Sequence, residues 1–161
     1  MQKALEFHRR ALKIAKHIGN PAYESTALGN IGIICIKQHE RQKALDYFHQ
    51  ALLIAEKIGN KWLQTMALSN TGVVYFASGD PQKAQMYFEK ALEIDEKMGN
   101  LEGQANNVLN IGNVYDTLGD PQKALGYYQR AREIFVKIGA KDKIADCDHN
   151  IALAKRNLAE Q

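Results

Sequence analysis

Residues Asp146, Cys147, Asp148 and His149 bring together the side-chain types of a nucleophilic enzyme: a thiol, an imidazole and carboxylates. Such chemistry requires the cysteine and the histidine to point at each other. On a helix, side chains two residues apart diverge by about 200°, so this pair does not converge. The sequence also lacks a Gly-rich phosphate loop, a nucleophile elbow and an HExxH motif. We therefore predict that the chain is not an enzyme.

The remaining cysteine and the histidines do not suggest a metal or a cofactor. Cys35 and Cys147 belong to no CxxC motif, and the five histidines are scattered without a pair at ligand spacing beside a third candidate. The two cysteines are predicted to be free thiols in a reducing cytosol. We expect no bound metal and no cofactor.

Asparagines recur at intervals of 40 residues, and their amide groups are suited to holding a peptide. The four are Asn30, Asn70, Asn110 and Asn150. An amide both donates and accepts hydrogen bonds, which matches the main chain of an extended peptide. The fold would have to present these side chains on one surface.

The interval of 40 residues runs through the rest of the chain as well, so the asparagines belong to a repeat. The tripeptide Gln-Lys-Ala begins at Gln2, Gln42, Gln82 and Gln122. Alanine recurs in phase at positions 11, 51, 91 and 131, and glycine at 19, 59, 99 and 139. A period between about 20 and 50 residues indicates one supersecondary unit stacked along an axis.

Each repeat reads as two amphipathic helices. Apolar residues within 81–98 recur at spacings of three and four. Asp80 is predicted to cap this helix, with Pro81 at its first position, and Gly99 is predicted to end it. Short connections make consecutive helices antiparallel. We predict eight helices, at about 2–18, 22–38, 42–58, 62–78, 81–98, 102–118, 121–138 and 142–159.

Helix geometry predicts which face of each first helix is packed. With Leu28 at 0° and an advance of 100° per residue, Gly32 and Cys35 lie within about 40° of it. Asn30 falls at about 200°, so it points away from the packed face. Met86 and Met98 lie on the apolar stripe of their own helix and are predicted to fill the core.

Residues 110–115 read Asn-Ile-Gly-Asn-Val-Tyr, and Leu118-Gly119-Asp120-Pro121, Ala124, Tyr128 and Ala131 follow them. Residues 70–75 begin an equivalent run. With these motifs the chain resembles the tetratricopeptide repeat over essentially its whole length, in a long-helix variant of that family. The resemblance implies an all-α fold: a right-handed α-solenoid of antiparallel helix pairs. It also implies that the face opposite the packed one lines a concave groove.

Residues at spacings of 4, 3 and 4 share that groove face. The candidate peptide-binding residues are Asn30, Ile33, Lys37, Met66, Asn70, Val73, Phe76, Asn106, Asn110, Asn113 and Asn150. The asparagines would hold main chain, while Ile33, Met66 and Val73 would offer pockets to apolar side chains. An alternative stays open at this point: the asparagines bond the neighbouring repeat, or they only face solvent.

The phase of the repeat predicts one solenoid over residues 1–161. It consists of a half-repeat at 2–20, full repeats at 21–60, 61–100 and 101–140, and a terminal half-repeat or cap at 141–161. The first helix lacks the partner that its apolar face expects, so either the chain is a segment of a longer array or that face meets another chain. This favours a second function, self-assembly into dimers or filaments through the terminal helices. A third is the sensor segment of a larger signalling regulator.

Composition excludes some classes of partner. The net charge of +3 is mild, and bases alternate with acids along the helices, which is atypical of a nucleic-acid interface. No apolar run approaches the roughly 18 residues of a membrane helix, and no signal-peptide h-region is present. We predict a cytoplasmic scaffold for protein–protein interaction that binds a protein or peptide partner, with neither nucleic acid nor membrane as a partner and with a homo-oligomer as an alternative.

Overall fold

The structure is a computed structural model that describes residues 2–160. These residues form eight α-helices and no strand. The helices are α1 Gln2–His17, α2 Pro21–Lys37, α3 Arg41–Lys57, α4 Lys61–Ala77, α5 Pro81–Met98, α6 Leu101–Thr117, α7 Pro121–Ile138 and α8 Lys141–Ala159. The predicted helix order is confirmed, and every predicted helix end lies within one residue of the observed one. Within the same residues, no helix has the length and apolarity that crossing a membrane requires.

The chain divides into two compact units, of which the first is Met1–Gly79. In this unit α2 packs against α1 and α3, and α4 packs against α3 and α2. The core lies between these helices. Its buried residues are Ile31, Cys35, Ala44, Phe48 and Val74 in one cluster, and Leu28, Ala51 and Ala67 in another. The predicted packed face of α2 is confirmed, since Leu28, Gly32 and Cys35 are all buried.

The second unit is Asp80–Gln161. Here α6 packs against α5 and α7, and α7 packs against α8. The buried side chains follow the same repeat positions as in the first unit. They include Ala84, Phe88 and Ala91 on α5, Val108, Ile111 and Val114 on α6, and Ala124, Tyr128, Ala131 and Phe135 on α7. How the half-repeats and full repeats join into one solenoid stays a prediction.

The helix ends match the predicted caps. The Asp80 carboxylate accepts the Lys83 N–H at 3.1 Å, and Pro81 occupies the first helical position. Gly99 has a φ of 69°, the left-handed conformation that glycine adopts without strain. At the turn after α2 the chain has His39 where later repeats have Gly79 and Gly119, and its φ of 60° is unfavourable for a residue with a Cβ atom.

The prediction for the two methionines of α5 is wrong. Met86 is 41% exposed and Met98 is 39% exposed, so neither fills the core. The buried stripe of α5 is formed instead by residues at spacings of four, three and four: Ala84, Phe88, Ala91 and Asp95. Met86 lies off this stripe, at the repeat position that Asp46 occupies on α3, and Met98 is the last residue of its helix.

Candidate peptide-binding site

The sequence-predicted residues of the first unit lie on α2 and α4, and we call them the first-unit face: Asn30, Ile33, Lys37, Met66, Asn70, Val73 and Phe76. Four of the seven line one shallow cleft between these helices, namely Asn30, Ile33, Met66 and Asn70. The cleft has a volume of about 20 Å³, which is enough for one small group. Lys37, Val73 and Phe76 lie beyond it, toward the C-terminal ends of the two helices.

The amides of the first-unit face have no internal partner. Asn30 and Asn70 are half-buried, and neither side chain hydrogen-bonds any residue within 2–160. Both can therefore donate to and accept from a ligand. Met66 beside them is 36% exposed and Val73 is 37% exposed, so apolar surface adjoins the amides.

In the second unit the predicted residues are Asn106, Asn110, Asn113 and Asn150, which we call the second-unit face. Two of them are engaged. The Asn113 Oδ1 accepts the Tyr128 hydroxyl at 3.0 Å and the Asn150 amide at 3.5 Å. Burial raises the pKa of Tyr128, with Asp116 and Cys147 as further causes, so its hydroxyl stays protonated and donates. For Asn113 and Asn150 the structure thus favours the alternative of bonding between neighbouring helices.

The other two asparagines of the second-unit face are unengaged within the described residues. Asn110 is half-buried and makes no side-chain hydrogen bond there. Asn106 lines a separate cleft of about 370 Å³ between α6, α7 and α8, together with Phe135 and Ile138. Glu102 and Lys143 stand at the same cleft.

A tetratricopeptide-repeat family model matches residues 1–57, 23–97 and 62–137. These matches span well over half of the chain. The chain belongs to the tetratricopeptide-repeat family. No curated protein matches it.

Solved structures of other proteins show the same fold. BtubC (BKLC) from P. vanneervenii superposes with a TM-score of 0.82 at 20% identity over 95% of this tetratricopeptide chain. Aspartyl phosphate phosphatase F from Bacillus subtilis gives 0.88 at 18% identity over 97%. The chain spans 65% of the first structure's length and 42% of the second's. At these identities the likeness shows a tetratricopeptide-like solenoid fold.

A third similar structure comes from a multidomain protein. It is the Signal Transduction ATPase with Numerous Domains protein with a tetratricopeptide repeat sensor from Pyrococcus horikoshii. The TM-score is 0.80 at 19% identity, over 92% of this chain and 23% of that one.

The side chains of Cys147 and His149 lie on different sides of α8, as their spacing of two residues indicates. Cys147 is buried and His149 is exposed. Both cysteines of this tetratricopeptide chain are free and buried. Burial raises the pKa of each thiol, with Glu40 adding to the shift at Cys35 and Asp146 at Cys147, which favours the protonated thiol over the nucleophilic thiolate. Among residues 2–160, no group of three His, Cys, Asp or Glu side chains is placed to hold a metal ion.

Reasoning from the sequence missed one feature of this tetratricopeptide chain and indicated another only as an apolar helix face without a partner. The first is a buried polar cluster, in which the Asp95 carboxylate accepts the Asn100 amide at 2.7 Å and the Asn107 amide at 2.9 Å. The second is an apolar groove between α1 and α2 that Phe7 and Tyr23 line. The sequence does contain a sign of the polar cluster, because Asp95 and Asn107 replace the alanines of earlier repeats at positions that face each other.

Proposed function

We propose that the chain is a protein-interaction module whose first-unit face binds a peptide segment of a partner protein. The observation that carries the proposal is the state of Asn30 and Asn70: two half-buried amides with no hydrogen-bond partner among the described residues. No hydrogen bond among the described residues explains why these amides recur along the repeat. Backbone groups of an extended peptide would satisfy them.

Apolar surface beside the amides would supply part of the affinity. Met66 and Val73 expose more than a third of their surface, and Ile33 is partly accessible at the same cleft. Burial of apolar area contributes about 25 cal/mol per Å². The second-unit face would add Asn110, and Asn106 through its own cleft, while Asn113 and Asn150 would act by holding α6, α7 and α8 together.

The test replaces one unengaged amide in each unit, in the variant Asn70→Ala/Asn110→Ala. A peptide ligand is first selected from a phage-displayed library of linear peptides, and its affinity is then measured by titration calorimetry. Each lost hydrogen bond contributes about 0.5–1.5 kcal/mol, so we expect binding to weaken by about 5- to 150-fold. Helicity and the melting temperature should stay nearly unchanged.

The matched control is Gln50→Ala/Gln129→Ala, which removes two exposed amides from α3 and α7. Its affinity should equal that of the wild type. The proposal fails if the asparagine variant binds as tightly as this control. It also fails if the asparagine variant unfolds, because the amides would then be structural.

A cytoplasmic location is part of the proposal, because two buried free thiols persist in a reducing compartment. The other two functions stay proposals as well. The Pyrococcus horikoshii protein is described as carrying a tetratricopeptide repeat sensor, which supports a sensor segment within a larger regulator. Self-assembly through the terminal helices is tested by light scattering over a concentration series. A chain that stays monomeric at every concentration would refute it.

A further inference from the structure

A groove with exposed apolar walls runs between α1 and α2. Phe7, Ala11, Ile14 and Ile18 form one wall at spacings of four, three and four, and Tyr23 stands on the other. The groove has a volume of about 410 Å³. Phe7 is 67%, Ile14 60%, Ile18 58% and Tyr23 65% exposed. Apolar side chains clustered and exposed in this way mark an interaction surface.

The next repeat shows which shape fits such a groove. The positions of Ala11 and Tyr23 are taken there by Ala51 on α3 and Leu63 on α4, which are only 2% and 6% exposed. The helix α2 covers them. Its Leu28 packs against Ala51, and its Ser25 hydroxyl donates to the Ala51 carbonyl at 2.9 Å. The surface that α1 and α2 present is therefore shaped to receive a helix.

The charge of α1 indicates the chemistry of that helix. This helix has five cations, Lys3, Arg9, Arg10, Lys13 and Lys16, and Glu6 as its one acid. At 100° per residue, Lys3 and Arg10 lie about 50–70° from the centre of the apolar wall, along one edge of the groove. Neither forms an ion pair or a side-chain hydrogen bond within residues 2–160. An acidic partner would complement this edge.

A second copy of the chain fits this groove poorly. The helix α8 has the same repeat positions as α2, but Asp148 replaces Leu28 and Ala152 replaces Gly32. Asp148 is paired with Arg132, and docking α8 in the manner of α2 would bury that carboxylate against alanines. The helix has four cations, Lys141, Lys143, Lys155 and Arg156, against three acids, Asp142, Asp146 and Asp148, so it offers a basic α1 no net negative charge.

We propose that the α1–α2 groove binds an amphipathic helix of a partner protein, with acidic side chains beside the helix's apolar stripe. The apolar stripe of that helix would lie on Ala11, Ile14 and Ile18, and its acidic edge would face Lys3 and Arg10. The wall from Phe7 to Ile18 is about 16 Å long, so three turns of the partner helix would be in contact. This site is additional to the first-unit face, which it borders at Asn30.

The experiment uses two labelled synthetic helices of about 18 residues. Both have leucines at i, i+4, i+7 and i+11; one has glutamates beside the stripe and the other has lysines there. Binding to the full chain is measured by fluorescence anisotropy at low and at high salt. We expect the glutamate helix to bind at least about tenfold more tightly than the lysine helix, with a preference that salt reduces.

Two variants test whether the glutamate helix binds in the α1–α2 groove. Ile14→Asn removes an exposed apolar side chain and should weaken binding of the glutamate helix about tenfold or more. Arg10→Glu should weaken it about fivefold. The matched controls are Leu53→Asn, an apolar residue on α3 that is 51% exposed, and Lys57→Glu, an exposed cation on the same helix. Neither control should change the affinity. Circular dichroism verifies that all four variants are folded.

Three results overturn the proposal: equal affinity for both helices, no binding of the glutamate helix at about 1 mM, or an affinity that Ile14→Asn leaves unchanged. A concentration-dependent dimer that Ile14→Asn abolishes also overturns it, since the occupant is then a second copy. The variant Asn70→Ala/Asn110→Ala should bind the glutamate helix like the wild type. The proposal for the first-unit face and the proposal for this groove are therefore refuted by different results.

Discussion

Gly32 in α2 provides a strict test of how closely the first unit is packed. A Cβ atom built at this position would lie 2.6 Å from Phe48 Cε1 and 2.9 Å from Phe48 Cδ1. The Phe48 ring is fully buried, with 0% exposure, and protein cores of this kind are closely packed, so the ring cannot move aside without displacing its neighbours. Gly32→Ala therefore forces α2 and α3 apart or moves the ring out of its site.

Gly29 in the same helix is the matched control. A Cβ atom built there meets nothing within 4 Å. Replacing a glycine inside a helix with alanine stabilises it by about 1 kcal/mol when no clash results. Overpacking of a core costs about 1–3 kcal/mol. Gly29→Ala should gain only the stabilisation that comes from helix propensity. Gly32→Ala gains the same stabilisation but loses the free energy that overpacking of the core costs. Their free energies of unfolding should thus differ by about 1–3 kcal/mol.

Urea unfolding at neutral pH measures both variants. The single tryptophan, Trp62, lies on α4 and reports on the first unit, while far-UV circular dichroism reports on all helices. We expect the Gly32→Ala midpoint to lie at or below the wild-type midpoint and the Gly29→Ala midpoint to rise above it. If both alanines stabilise the chain equally, the close approach of Phe48 to α2 is wrong, and with it the packing of that helix pair.

Two further predictions concern buried polar groups. Asp95→Ala leaves the Asn107 amide without one of its acceptors in a site that is 1% exposed, and should lower the free energy of unfolding by about 1–3 kcal/mol. Glu93→Ala, which removes an exposed carboxylate from the same helix, should change little, and equal effects in urea unfolding would contradict the buried cluster. Cys35 and Cys147 should react slowly with a thiol reagent at neutral pH and quickly in denaturant, because burial raises both pKa values; fast reaction of the native chain would show that the thiols are accessible.

Helix positions were predictable because the chain marks its helix ends chemically. Asn20 and Asp80 accept a backbone N–H of the first turn, and Gly99 takes the left-handed conformation that ends a helix. These interactions lie within three or four residues of one another in sequence. Where a signal of this kind is absent, as at His39 and Glu40, the repeat still places the turn, because α2 and α3 pack as the other pairs do.

Contacts between helices were not predictable to the same degree. Helix angles place Asn70, Asn110 and Asn113 on similar faces, yet only Asn113 is engaged, since the Tyr128 hydroxyl reaches it from α7. That contact depends on the distance between two helices and on the length of the tyrosine side chain. The same limit explains Met86: its spacing matched an apolar stripe, but the buried stripe of α5 passes through Phe88 instead.

Differences between repeats carry information that the period itself does not. Asp95 stands where earlier repeats have Ala15 and Ala55, and Asn107 stands where they have Ala27 and Ala67. Either change alone would leave one polar group in this buried site without the hydrogen bond of 2.9 Å that the two residues form together. Paired substitutions of this kind between repeats maintain the packing of the two helices.

Two features of the chain are not explained by paired substitutions of this kind. Asn30 and Asn70 are repeated, although no hydrogen bond within residues 2–160 requires them. Phe7 and Ile14 keep apolar surface on a helix that exposes it. A folded chain gains little packing energy from either feature, because the amides and the exposed apolar side chains contact solvent. Both would become favourable if a partner supplied backbone groups to the amides and a helix to the groove, which is why we propose binding at these two surfaces.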